Sequence, residues 1–194
     1  MGKAVEKYMK KQMQILSAAK SLFLSAGYQN TGMDRVAADA GVTKQTVYRY
    51  FPSKLELFRE VLESMSPKGR GYEFGTGDVK SELEKFAAEF LKLHLTDERI
   101  GLYRLIVAES HMAQELGSVF YEAAQSGRRK SLSIYLGEKF ITDNQELDAE
   151  IFTSMLLVPR ARVLTGAAGV PDDAEIRAHC VYAVEIFMNG RGLR

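Results

Sequence analysis

A chain of 194 residues, 46% hydrophobic and 26% charged, has the balance of an ordinary globular protein, which excludes disordered and fibrous classes. Its net charge of +1 joins two unlike parts: residues 1–65 hold ten Lys or Arg against six Asp or Glu, and residues 66–194 hold sixteen against nineteen. An N-terminal part at +4 suits a polyanion and a remainder at −3 does not, because phosphate backbones are bound largely by neutralising their charge. The chain opens with Lys3, Lys7, Lys10 and Lys11 and no apolar stretch behind them, so no secretory leader is expected. Those lysines are either a basic arm over a phosphate backbone or a solvated helix start.

Residues 31–55, TGMDRVAADAGVTKQTVYRYFPSKL, carry the spacing of two short helices joined by a tight turn. Thr31 is expected to cap the first helix, with Asp34 three residues on, so that hydroxyl and carboxylate satisfy free N–H groups. That helix runs to Ala40; Gly41 then supplies the left-handed turn and Val42 points inward. Thr43 caps the second helix, whose first turn holds Lys44, Gln45 and Thr46. Val36, Ala37 and Ala40 on one helix and Val47 and Phe51 on the other predict a small shared core. Outside that core stand Lys44, Gln45, Thr46, Tyr48, Arg49 and Tyr50, a surface suited to phosphates and base edges. Pro52 and Ser53 stop the helix, and Ser53 caps a third whose first residue, Lys54, lies where backbone N–H groups favour an anion. Thr31, Thr43, Lys44, Gln45, Thr46, Tyr48, Arg49, Tyr50 and Lys54 are therefore candidates for contact with double-stranded operator DNA, in the geometry of a helix-turn-helix whose second helix enters the major groove.

Ile15-Leu16-x-x-Ala19-x-x-x-Phe23, Ala26-Gly27-Tyr28, Val36-Ala37-x-x-Ala40-Gly41-Val42, Thr43-Lys44-x-Thr46-Val47-Tyr48-x-Tyr50-Phe51 and Lys54-x-x-Leu57 resemble the DNA-binding domain of the tetracycline-repressor (TetR) family. The resemblance implies an all-α fold, with an N-terminal three-helix helix-turn-helix domain and a C-terminal helical domain for ligand binding and dimerisation. It also implies a homodimer that represses transcription and releases DNA when a small molecule enters a cavity. Gln45 departs from the glycine of many members and Tyr50 from a frequent histidine, so an operator sequence does not carry over.

The glycine-rich segment 66–77 is the clearest loop and sets the expected boundary between domains 1–65 and 66–194. Helices are predicted at about 79–95, 97–111, 114–140, 146–168 and 172–189, with Pro159 kinking or breaking the fourth. Arg104-Leu105-Ile106-Val107-Ala108-Glu109, Phe120-Tyr121-Glu122-Ala123 and Ala149-Glu150-x-Phe152 resemble the AefR-like subtype of the same family. The last two helices are apolar over wide arcs, which predicts a dimer interface through Val158, Ala161, Arg162, Val181, Val184 and Phe187. Two-fold symmetry in turn predicts an inverted-repeat operator.

His94, Tyr103, Glu109, His111, Tyr121, Tyr135, Met155 and His179 are polar or adaptable groups set in apolar helices, the composition of a hydrophobic effector pocket or of satisfied core and rim residues. Glu109 and His111 face different sides of a helix and have no companion cluster, so no metal and no cofactor are expected. Cys180 lies in the apolar stretch 179–183 and reads as a buried, inert thiol. No run approaches the roughly 18 apolar residues of a spanning helix, so a cytoplasmic protein without a membrane partner is expected. The function that follows is a repressor released by an apolar or amphipathic effector. An activator or a co-repressor-dependent regulator of the same fold is the alternative. A helical-bundle enzyme or carrier has no phosphate loop, nucleophile set or metal spacing behind it.

Overall fold

The computed structural model describes all residues except 1, 66–70, 126, 192 and 194. Within them lie helices α1 (Lys3–Ala26), α2 (Met33–Asp39), α3 (Lys44–Tyr50), α4 (Lys54–Ser64), α5 (Val79–His94), α6 (Asp97–Glu109), α7 (Gln114–Gln125), α8 (Arg128–Lys139), α9 (Gln145–Leu156), α10 (Val158–Thr165) and α11 (Asp173–Asn189). The protein is all-α; the one β feature among the described residues is an isolated antiparallel bridge between Phe140 and Leu193. Among the same residues no helix is long and apolar enough to cross a membrane.

Two compact units divide the chain: Met1–Lys68 with Gly101–Ala123, and Gly69–Ile100 with Ala124–Arg194. In the first, α1 buries Ile15, Ala19, Leu22 and Phe23, spaced to make one stripe. It ends at Gly27, whose φ of +85° permits the turn and whose N–H reaches the Phe23 carbonyl at 3.0 Å. Phe23, Tyr28 and Phe58 pack at ring-centroid distances of 5.3–5.7 Å. Leu102, Leu105, Ile106, Ala113, Leu116 and Val119 join the same buried cluster, although the sequence reading groups their helices with the C-terminal part. The expected boundary after residue 65 abuts residues outside those described.

The expected caps at Thr43 and Ser53 form, accepting from Thr46 N at 3.2 Å and Glu56 N at 3.1 Å. Thr31 does not cap. Gly32 is the N-cap of α2, without a side-chain bond, and the fully buried Thr31 donates its hydroxyl to the Gly27 carbonyl at 2.7 Å. A turn from Tyr28 to Thr31, closed at 3.2 Å, draws the threonine into the core one residue too early.

In the second unit, Lys80–Glu185 (3.0 Å) and Lys92–Asp173 (2.6 Å) pair opposite ends of α5 and α11, so the two run antiparallel. α8 and α9 form a hairpin in which Asn144 caps α9 at Leu147 N, 2.9 Å. Phe86, Phe90, Phe140, Phe152 and Phe187 fill the core. The single long helix expected over 114–140 is two, because Gly127 takes φ +64°, a conformation no α-helix continues through. The helix expected over 146–168 breaks at Leu157, with Pro159 in the first turn of α10, where its missing N–H costs nothing. Of the expected loop, residues 66–70 lie outside those described, and 71–77 have no regular structure.

Candidate nucleic-acid interface

α3 is held from beneath by Val47 and Phe51, which are 0% and 2% exposed. Its seven residues make it too short to persist alone, so the packing of these two side chains fixes which face reaches solvent. Lys44, Gln45, Tyr48 and Arg49 are exposed and Thr46 half-buried. Behind them Gly41, at φ +59°, allows Val42 N to reach the Ala37 carbonyl at 2.9 Å. Gln14 of α1 donates to the Ala40 carbonyl at 2.7 Å, so the turn is clamped by a residue that sequence spacing does not single out.

Lys44 Nζ lies 3.0 Å from the Asp34 carboxylate, with both side chains mostly exposed; the hydrogen bond and then the charge of Asp34 raise the lysine's pKa. Asp34, expected as part of a cap, is thus the resting partner of a candidate DNA-binding cation. The Thr43 and Thr46 hydroxyls face one another at 2.9 Å. Tyr50 stacks on Tyr8 of α1 at 4.5 Å, which turns its ring back onto the unit. Lys54 is likewise diverted: Nζ donates to the Tyr28 and Gln29 carbonyls at 2.8 and 3.4 Å and lies 4.2 Å from the Tyr28 ring centroid. Burial lowers its pKa, opposed by Glu109 and Glu115. Glu109 completes that clamp by accepting from Tyr28 N at 3.2 Å and Gln29 N at 2.8 Å. Gly27 has no Cβ where the Glu109 carboxylate lies.

Residues 15–61 match the model of bacterial regulatory proteins of the tetR family, and residues 81–190, more than half of the chain, match that of the AefR-like transcriptional repressor C-terminal domain. The chain belongs to the TetR family. Its members are transcriptional regulators, not enzymes. The HTH-type transcriptional activator FasR of Mycolicibacterium smegmatis is 48% identical over 50 residues, 26% of this chain and 23% of that one. The chain spans about a quarter of the length of the curated relatives it matches first. Among solved structures, a TetR-family regulator of Mesorhizobium loti superposes with a TM-score of 0.73 at 26% identity, covering 95% of this chain and 98% of that one. The flavonoid-responsive regulator FrrA gives 0.77 at 25% identity, covering 94% and 97%.

In this TetR-family chain the candidate effector residues divide between the units. Tyr103, Glu109, His111 and Tyr121 belong to the first, where His111 and Tyr121 are exposed, Tyr103 packs edge-on to Phe120 at 5.8 Å and Glu109 is the clamp just described. His94, Tyr135, Met155 and His179 belong to the second. His94 lies against Phe90 with centroids 4.1 Å apart, and its Nδ1 is 2.7 Å from the Phe90 carbonyl. A carbonyl only accepts, so Nδ1 carries the proton. Burial, then the charges of Arg99, Arg160 and Arg129, push the imidazole down to about 3 against its hydrogen bond to Phe90. Tyr135 stacks on Phe74 at 3.9 Å, its hydroxyl buried without a hydrogen-bond partner. His179 Nε2 donates to the Met155 carbonyl at 3.0 Å.

Two of the expected interface residues are core. Val184 is 0% and Phe187 5% exposed, because Phe187 fills the space against Phe152, 4.8 Å away. Val158, Ala161 and Arg162 of α10 are exposed and Val181 half-buried. The open face of α11 carries Ala174, Ala178, Tyr182 and Ile186 along a groove of about 670 Å³ beside Val181. Cys180 is buried, which pushes its thiol up to about 11.

Proposed function

We propose that this TetR-family regulator is a cytoplasmic homodimeric repressor that binds an inverted-repeat operator through α3 and leaves it when a small amphipathic effector binds the helical remainder. The observation that carries the reading is the exposed polar face of α3, with Lys44, Gln45, Tyr48 and Arg49 open above a closed core of Val47 and Phe51. Lys44 exchanges Asp34 for a phosphate or a base edge. Gln45 offers an amide matched to adenine, Arg49 and Tyr48 meet the backbone, and Thr43 and Thr46 lie beside them. Thr31, Tyr50 and Lys54 position this helix rather than touch DNA. Residues 1–65 form the DNA-binding domain and 66–194 the effector and dimerisation domain. Two copies meet through Val158, Ala161 and Arg162 of α10 and Ala178, Val181, Tyr182 and Ile186 of α11. That symmetry sets two α3 helices one helical turn of DNA apart, about 34–36 Å.

Repression is supported by the C-terminal match to an AefR-like repressor domain. The FasR match covers the helix-turn-helix segment alone, which reads DNA without setting the sign of regulation. The test is binding to a fluorescent fragment from the intergenic region beside the protein's own gene, across a salt titration and against scrambled DNA. Tight, selective and salt-sensitive binding is expected. Binding equal to that of the scrambled fragment overturns the reading. A reporter under the same fragment gives the sign: deletion of the protein raises expression from a repressed promoter and lowers it from an activated one.

A further inference from the structure

At one end of the second unit the last turn of α5 meets the first turns of α8 and α10. Arg128 reaches back from α8 to Glu89 of α5 at 3.2 Å, with its guanidinium 5.4 Å from the Tyr72 ring. The α8–α9 hairpin returns the chain to the same end, where Leu157 leads into Arg160 on α10, their backbones bonded at 3.1 Å. The charges acting on His94 are Arg99, Arg160 and Arg129, and those acting on Arg99 are Arg128 and Arg160. Four guanidinium groups therefore share this end, and arginine does not shed its charge to relieve the crowding. Glu89 partners Arg128, but Arg129 keeps a buried Nε with no hydrogen-bond partner. His94 adds no charge, because Phe90 holds it in the neutral, Nδ1-protonated form. The first turns of α8 and α10 direct their free N–H groups and positive dipole ends toward the same place. Phe90, Leu95 and Ile100 are buried apolar neighbours in sequence.

We propose that this end of the second unit is an oxyanion site in which Arg99, Arg129 and Arg160 bind the carboxylate or phosphate of an amphipathic ligand whose apolar part lies toward Phe90. The guanidinium fork matches either oxyanion bidentately, and a bound anion relieves the repulsion among the arginines. That the ligand is the effector rests on the repressor reading; that the anion binds does not.

The experiment uses the full-length protein at fixed ionic strength, with inorganic phosphate, benzoate and the uncharged benzyl alcohol as probes. Calorimetry and thermal melting are the readouts. Phosphate or benzoate is expected to bind and raise Tm, and the stronger of the two identifies the source; benzyl alcohol binds at least tenfold more weakly than benzoate. Arg129→Gln and Arg160→Gln are expected to weaken the preferred anion at least tenfold, while Lys139→Gln, at the other end of α8, leaves it unchanged. Arg129→Gln is also expected to raise the Tm of the anion-free protein by removing a like charge, whereas a merely structural arginine would lower it. The proposal is overturned if neither anion binds, if affinity is the same in all variants, or if Arg129→Gln lowers the anion-free Tm. Failure of the anion-free protein to bind its DNA would instead overturn the repressor reading and leave the anion measurement standing.

Discussion

Cations gather at two places in this chain, and water reaches them differently. On α3, Lys44 and Arg49 are exposed, and Lys44 rests on an equally exposed Asp34. Such a pair contributes little to stability, so a polyanion arriving from solvent displaces Asp34 at small cost. At the end of α5, the arginines around His94 are partly buried and the charges on His94 are all of one sign. There the electrostatics are less screened and the space suits a small anion rather than a duplex. Lys54 lies between the extremes: it keeps its charge but faces Tyr28 and two backbone carbonyls, and so acts on structure. Sign of charge alone does not distinguish these roles; solvent access and partner do.

The sharpest break in the comparison comes from adding a cation where the fold has none. Val184→Arg sets an unpaired charge in the closed core of the second unit and is expected to cost at least about 4 kcal/mol, read as loss of the cooperative melt. Ile186→Arg, two residues on and 46% exposed, is expected to leave the melt in place and shift the dimer to monomer by analytical ultracentrifugation. Lys44→Ala with Tyr48→Ala is expected to lower operator affinity by about a hundredfold with Tm unchanged, and loss of the lysine to flatten the salt dependence by about 0.9 in log–log slope. Unchanged affinity would remove α3 from the interface.

Smaller effects test the clamp and the buried histidine. Gly27→Ala forces a side chain onto φ +85° and against Glu109, an expected loss of about 2 kcal/mol in chemical denaturation. Gly32→Ala, with open space around it, is expected to change stability by under about 0.5 kcal/mol. His94 titrates near 6.5 when unfolded and about 3 when folded. Between those values the unfolded chain binds more protons, so stability is full above pH 6.5 and falls on acidification by about 1.4 kcal/mol per pH unit. His94→Gln is expected to flatten that slope, measured as denaturation midpoints from pH 7 to 5. Lys54→Met is expected to cost about 1 kcal/mol of stability and under about threefold in DNA affinity.

The helix-turn-helix was legible because its determinants are local. Gly41 needs a left-handed backbone, Thr43 and Ser53 cap helices within three residues of themselves, and Val47 and Phe51 are one helical turn apart. What failed were readings that needed a partner far along the chain. Glu109 looked like a pocket residue until its carboxylate met the backbone 80 residues away. Tyr50 and Lys54 looked like DNA contacts until Tyr8 and Tyr28 took them. Gly127 carried a signal in the sequence, the glycine itself, and read as part of one long helix because a single glycine often survives inside one.

The sequence by itself determined the all-α class, the helix-turn-helix, its capping residues and its shared core, because periodicity and caps act within one or two turns of helix. Tertiary structure alone decided that Val184 and Phe187 face inward while Tyr182 and Ile186 face out, and that the arginines of three separate segments meet around His94. An apolar arc too wide for one neighbour does not say which of its edges the core takes, and like charges distant in sequence come together only when packing brings their helix ends to one place.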